Sequence, residues 1–105
     1  MIIDINFKNT IQKWLFDNFN KYQFINELHL IGSVLHKLDI NDVDIVQLIN
    51  LESKESIKEY AKELQIIKSN FFNIFNIDLH ITSFTNTELA NFFTFISINN
   101  SIKII

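Results

Sequence analysis

Three aspartates set among apolar residues are the side chains of this chain that could do metal chemistry. Asp42 and Asp44 lie two apart in the stretch DVDIVQLI, and Asp78 has an apolar neighbour on each side. Because side chains on a strand alternate between faces, Asp42 and Asp44 should point the same way. Two such carboxylates repel each other and lose hydration, and a cation offsets both costs. If Asp78 lies on the next strand, three carboxylates can hold two Mg²⁺ ions about 3.5–4 Å apart.

The single glycine of the chain, Gly32, directly precedes Ser33 at the end of an apolar stretch. A glycine that follows a strand lets backbone N–H groups approach a phosphate closely, where a Cβ atom would obstruct it. Ser33 adds a hydroxyl donor, and Lys37 supplies a permanent positive charge for a phosphate. His36 could also touch phosphate, but we favour a solvated loop histidine.

Each of these features also has an ordinary structural explanation. A Gly-Ser pair is often only a turn, and two alternating aspartates on a strand are usually an exposed polar face. The joint order is more telling: a strand, Gly-Ser, a short spacer, two alternating aspartates, a helix and a strand with a third aspartate. We therefore favour a site, with a degenerate site or coincidence as the alternative.

The elements that must position these residues follow from hydrophobic periodicity and from helix-capping signals. They predict an α/β domain over residues 1–105, with helices mainly on one face of a small mixed sheet of three or four strands. The helix between the second and third strands permits these strands to be parallel. The predicted helices cover 6–22 and 53–73, with a helical turn over 33–38 and a last helix after the capping box of Thr85 and Glu88. The predicted strands cover 27–31, 42–49 and 77–84, with an edge strand near 101–105. The helix over 53–73 has an apolar stripe of Ile57, Ala61, Leu64, Ile67 and Phe71.

Composition excludes several classes of protein. The chain has no cysteine, so disulfides and thiolate metal sites are excluded and a reducing compartment is expected. No signal-peptide pattern and no membrane-length apolar run is present, which predicts a soluble, cytoplasmic protein. The formal net charge is -3 and every formally cationic residue is a lysine, so we do not expect nucleic acid as a stand-alone partner.

The segment LIGSVLHKLDINDVDIV resembles the glycine-serine and paired-aspartate motif of the DNA polymerase beta nucleotidyltransferase superfamily, specifically its minimal stand-alone members. The later IDL resembles the strand of the third family aspartate, and the resemblance covers about residues 28–84. It implies the polymerase beta-like nucleotidyltransferase fold. It also implies that Gly32 and Ser33 bind the triphosphate, Asp42 and Asp44 bind both metal ions, and Asp78 binds the ion nearest the attacking hydroxyl.

The resemblance further implies a Mg²⁺-dependent enzyme that transfers a nucleoside monophosphate from a nucleoside triphosphate, with ATP the expected donor, to a hydroxyl. Small members are often antitoxins that modify a tyrosine on a helical HEPN-type partner. The alternative function is a binding module with weak or lost catalysis, acting through its phenylalanine-rich last helix on a partner or in a homodimer. We predict structural roles for His29 and for His80, with metal support from the second shell as the alternative for His80.

Overall fold

The computed structural model describes residues 5–32, 40–50 and 54–105. Three helices and four strands, with a short 3₁₀ turn before the last helix, make up the described part of the chain. No helix within it is both long and apolar enough to span a bilayer. In chain order the elements are α1 (Ile5–Phe19), β1 (Ile25–Ile31), β2 (Asp42–Ile49), α2 (Lys54–Phe75), β3 (Asp78–Thr85), the 3₁₀ turn (Asn86–Glu88), α3 (Leu89–Ile98) and β4 (Ser101–Lys103).

The four strands form one mixed sheet in the order β3-β2-β1-β4. Strand β1 runs antiparallel to both of its neighbours, whereas β2 and β3 are parallel and are joined through α2. The prediction of a small mixed α/β sheet is therefore confirmed, and the bounds of β2 are those predicted. The terminal SIKII segment does supply an edge strand, β4. The helical turn predicted over 33–38 lies outside the described residues.

The larger core lies on the face of the sheet that carries α1 and α2. Its members recur at helical spacing in α1, as Ile11, Leu15 and Phe19, and at every second residue in the strands. Helix α2 extends to Phe75, beyond the predicted end at residue 73, and its predicted apolar stripe differs at one position, because Tyr60 is buried and Ala61 is exposed. The ring of Tyr60 fills this space against two other aromatic rings, those of Tyr22 and Phe24.

Helix α3 covers the opposite face of the sheet. Its Phe92 is fully buried in a second, smaller cluster with Ile31, Val46 and Leu48. From Ile45 onward β2 is buried on both faces, because each face now has a helix against it. At the start of β2 only the face of Val43 and Ile45 is buried. The two aspartates of β2 lie in this part of the strand, on the accessible face.

A buried polar network ties α2 to the middle of the sheet. Gln47 is fully buried; its Nε2 donates to the Ser83 hydroxyl at 2.8 Å, and its Oε1 accepts a short hydrogen bond from the Tyr60 hydroxyl. A buried amide without partners would cost free energy, and here both ends are satisfied. The network therefore joins β2, β3 and α2 at one level of the core.

The predicted capping box before α3 is present. The backbone N–H of Thr85 donates to Oε1 of Glu88 at 3.1 Å, which satisfies one N–H group at the start of the helical segment. Because Thr85 is also the last residue of β3, this turn fixes where the chain leaves the sheet and begins α3.

Candidate functional site

Strand β2 presents two carboxylates on one face, as the sequence predicts. Val43 and Ile45 are fully buried in the larger core, so Asp42 and Asp44 point to the other face of the sheet. Their side chains remain 36% and 37% exposed. A solute can therefore reach both carboxylates although the strand itself is part of the sheet.

Strand β3 adds an imidazole to this pair. In the parallel register Asp44 is opposite His80, and Asp42 is opposite Asp78. Nδ1 of His80 lies 3.5 Å from Oδ2 of Asp42 and 3.5 Å from Oδ1 of Asp44. One ligand atom from each of the three residues falls within 4.8 Å of the other two. Asp42, Asp44 and His80 therefore form a three-ligand group, which we call the Asp-Asp-His cluster.

Asp78 is the residue predicted as the third metal ligand, and that role stays a prediction. Its backbone pairs with Asp42, but among the described residues the three-ligand group does not include its carboxylate. Asp78 is exposed and borders a shallow groove of about 320 Å³ along the C-terminal half of α2. The other residues that line this groove are Gln65, Lys68, Ser69, Phe72 and Asn73. The sequence therefore located the strand that faces the two aspartates, and His80 of this strand lies 3.5 Å from a carboxylate oxygen of each.

Gly32 is placed against the cluster by the antiparallel pairing of β1 with β2. Ile31, the last residue of β1, pairs with Asp44, so the next residue passes the Asp44 side chain. Gly32 has φ +81°, and a Cβ atom there would lie 3.1 Å from Oδ2 of Asp44. The left-handed backbone favours glycine at this position, and a Cβ atom would also require the Asp44 carboxylate to move by a few tenths of an ångström. The atom that approaches Gly32 in the structure is a carboxylate oxygen, and the contact with phosphate stays a prediction.

The remaining residues predicted to bind nucleotide lie outside the described residues. Ser33 and Lys37 both fall in 33–39, as do His36 and Asp39. The described chain resumes at Ile40, which is buried in the larger core, two residues before Asp42.

The charge of the cluster is unbalanced. Partial burial, and secondarily the neighbouring Asp42 carboxylate, raise the pKa of the Asp44 carboxyl, while His80 opposes this rise. A raised pKa means that the site disfavours the second negative charge, as the sequence predicts for two carboxylates on one face. A bound cation would remove that penalty, so the cluster is suited to hold one.

The other sequence-selected residues have structural positions. His29 is buried between the strands, with Nε2 3.0 Å from Oε1 of Glu27 and Nδ1 3.3 Å from the Ser101 hydroxyl. Its ring contacts that of Phe92 edge to face. These contacts agree with the structural role predicted for His29.

The proximity of His80 to the aspartates had one signal in the sequence. His80 lies two residues after Asp78 and so shares its strand face.

Comparison of the chain with protein-family models, with curated proteins and with solved structures finds no match. A proposal of function therefore depends on the site itself and on the motif resemblance described above.

Proposed function

We propose that this chain is a metal-dependent nucleotidyltransferase with the polymerase beta-like fold. The observation that carries the proposal is the convergence of the Asp42 and Asp44 carboxylates beside Gly32, where the chain leaves β1. This is the spatial arrangement that the motif LIGSVLHKLDINDVDIV would need, because phosphate must meet both the glycine backbone and the metal ligands.

The residues present fit a divalent cation. Two neighbouring carboxylates that lie on one accessible face are suited to hold ions that also coordinate a triphosphate. We propose two Mg²⁺ ions, held by Asp42 and Asp44. Gly32, Ser33 and Lys37 bind the phosphates. The ions would supply neutralisation of the charge on the triphosphate.

Group transfer then consists of one displacement at phosphorus. The acceptor hydroxyl oxygen forms a bond to the α-phosphorus, the bond between that phosphorus and the bridging oxygen breaks, and pyrophosphate leaves. The hydroxyl proton passes to a carboxylate or to water. Asp78 is the residue proposed to orient the acceptor and receive this proton. It pairs with Asp42 across the two strands, and it also lines the groove along α2.

The acceptor we propose is a hydroxyl on a partner protein, with tyrosine the first choice from the motif resemblance. The α2 groove gives such an acceptor a place to approach Asp78, with the Phe72 ring on its wall for an aromatic side chain and amide and ammonium groups for hydrogen bonds. ATP is the proposed donor. A HEPN-type partner, an antitoxin role and a cytoplasmic location belong to the same proposal.

A second candidate function is a binding module, and one observation favours it. Helix α3 buries Phe92 yet exposes three apolar side chains, Leu89, Phe93 and Ile98, of which Ile98 is 76% exposed. Exposed apolar side chains grouped on one helix are typical of contact surfaces. In this case the fold would act through α3, with catalysis weak or lost.

The test is transfer of label from nucleotides. The purified chain, alone and with the product of any neighbouring gene, is incubated with Mg²⁺ and with ATP labelled at the α- or γ-phosphate. Nucleotidyl transfer predicts label on the acceptor from α-labelled ATP only, lost in Asp44→Asn and kept in the control Asp17→Asn, an exposed position on α1. If the wild type and Asp44→Asn give the same background with every acceptor, the enzyme proposal fails. Partner binding that survives Asp44→Asn but is lost in Phe93→Asp would then support the binding module.

A further inference from the structure

We propose that His80 is a direct ligand of the cation and that the Asp-Asp-His cluster therefore prefers a transition-metal ion such as Mn²⁺, Co²⁺ or Zn²⁺ over Mg²⁺. This inference concerns the site of the proposed function, and it rests on that function for what the bound ion does. It differs from the three-carboxylate site implied by the motif resemblance. It also makes His80 the residue that determines which metal is selected.

The spacing of the ligand atoms supports a shared ion. Two ligand atoms at 2.0–2.2 Å from one ion are about 2.8–3.6 Å apart at octahedral or tetrahedral angles. Nδ1 of His80 lies 3.5 Å from an oxygen of each aspartate, so both pairs are already at the outer edge of that range. The three ligand atoms lie within 4.8 Å of one another, and a shared ion would require side-chain rotations that draw them closer together.

The backbone holds this spacing in place. Asp44 and His80 are opposite each other in a parallel ladder that runs for eight residue pairs, from Asp42 with Asp78 to Ile49 with Thr85. Leu79, next to His80, is 1% exposed and anchors β3 in the larger core. Ligands on paired strands are positioned more precisely than ligands on loops. His80 is therefore presented to the aspartates by the sheet itself.

The chemistry of the donor set decides the class of ion. Mg²⁺ takes oxygen ligands, and imidazole nitrogen suits first-row transition metals. Two carboxylate oxygens and one imidazole nitrogen leave further coordination positions for water or for phosphate oxygens. The competing explanation is an ordinary ion pair between His80 and the aspartates. An exposed pair of that kind contributes little to stability, and it requires no preference among metals.

The experiment titrates the chain of residues 1–105 with Co²⁺ and, separately, with Mg²⁺, without nucleotide. Binding is followed by calorimetry and by the visible absorption of Co²⁺, and the ring ¹⁵N resonances of His80 are recorded. The proposal predicts tighter binding of Co²⁺ than of Mg²⁺ and a shift of the His80 ring nitrogen. His80→Ala should weaken Co²⁺ binding by at least about tenfold, the lower end of what even an outer-sphere partner contributes.

Two further variants complete the design. His80→Asp supplies a third carboxylate and should narrow or reverse the preference for Co²⁺ over Mg²⁺. Thr82→Ala is the matched control, since it is the next exposed residue on the same face of β3, and it should bind both ions as the wild type does. Co²⁺ binding that is equal in His80→Ala and the wild type, or weaker than Mg²⁺ binding in the wild type, overturns the inference.

Failure of the inference is separable from failure of the proposed function. If His80→Ala keeps wild-type Co²⁺ affinity while α-label transfer with Mg²⁺ depends on Asp44, the inference is wrong and the enzyme proposal holds. If Co²⁺ binding depends on His80 but no acceptor is labelled with any of these ions, the metal site holds and the transfer function is wrong.

Discussion

Gly32 lies so close to Asp44 that a Cβ atom at the glycine would be 3.1 Å from the carboxylate oxygen Oδ2. The pairing of Ile31 with Asp44 in the antiparallel ladder produces this approach. Two features thus favour glycine at this position, a φ of +81° and a contact so close that a Cβ atom would displace the Asp44 carboxylate. The turn and the candidate metal site therefore depend on the same position.

Gly32→Ala is expected to lower the free energy of unfolding by roughly 1–2 kcal/mol, since alanine is disfavoured in the left-handed region. The contact with Asp44 adds to that loss. Urea unfolding of Gly32→Ala, measured with and without Asp44→Ala in the background, separates the two contributions. The cost should be smaller in the Asp44→Ala background because the carboxylate is gone. Equal stability of Gly32→Ala and the wild type would contradict the left-handed turn.

Asp44→Asn is expected to stabilise the metal-free protein at neutral pH. The pKa of Asp44 is raised in the folded state by burial and by Asp42, so folding favours its protonated form. Between the unfolded pKa of 3.8 and the higher folded pKa, the native state binds more protons, and stability falls as pH rises. Asparagine does not ionise, so the stability of Asp44→Asn does not fall in this way as pH rises.

Thermal unfolding from pH 3 to pH 7 checks this prediction, with Asp17→Asn at an exposed position as the control. The difference in Tm between Asp44→Asn and the wild type should be small at the acid end, increase with pH through the titration of Asp44, and then stay constant. A difference that is constant across the whole range would show that Asp44 carries no folding-linked titration.

Ligand linkage provides a test of the site that does not depend on the acceptor. A divalent cation together with a nucleoside triphosphate should raise the Tm, because binding to the native state alone stabilises it by about 2.7 kcal/mol at 100 times Kd. Asp44→Asn should lose this response while remaining folded. Identical responses of the two proteins to cation and nucleotide would place the binding elsewhere.

Phe92 and Phe93 are adjacent on α3 and should respond very differently to truncation. Phe92 is fully buried, so Phe92→Ala should cost about 3–5 kcal/mol, as for other core phenylalanines. Phe93 is 47% exposed, and Phe93→Ala should change stability by about 0.5 kcal/mol or less. Chemical denaturation of both variants checks the comparison. If Phe92→Ala does not fold, Phe92→Leu provides the milder truncation. Similar small costs for both residues would mean that α3 does not pack on the sheet as described.

The Gln47 network should show the penalty of an orphaned buried acceptor. Tyr60→Phe removes the hydroxyl that donates to Oε1 of Gln47, at an expected cost of about 1–3 kcal/mol. The double variant Gln47→Leu, Tyr60→Phe should recover part of this loss, because neither partner then remains unpaired. Tyr22→Phe is the comparison, at a tyrosine that is only partly buried and whose pKa is raised to about 12 by burial and by Glu63. Additive single and double costs would rule out coupling between Gln47 and Tyr60.

The sequence by itself determined the types and the order of the elements, because the signals for these are local. Enrichment in β-branched residues marks strand β2, whose predicted bounds are those observed, and the Thr85–Glu88 capping box marks the start of a helical segment. The shared face of Asp42 and Asp44 was also readable, since the strand period of two requires it. An unusual backbone conformation at Gly32 was also predictable, because a single glycine directly after a strand is a signal for one.

Only the tertiary structure decided which residues meet across the strands. The register of β2 with β3 places His80 opposite Asp44, and the register of β1 with β2 brings Gly32 against the same carboxylate. Helix α3 packs on the face opposite to α1 and α2 through Phe92, although all three described helices have apolar side chains that pack on the sheet. Strand pairing and helix placement are set by long-range packing between segments far apart in the chain, and a one-residue change in register would move each side chain to the other face. Local periodicity is the same for every such pairing, and for this reason it could not choose among them.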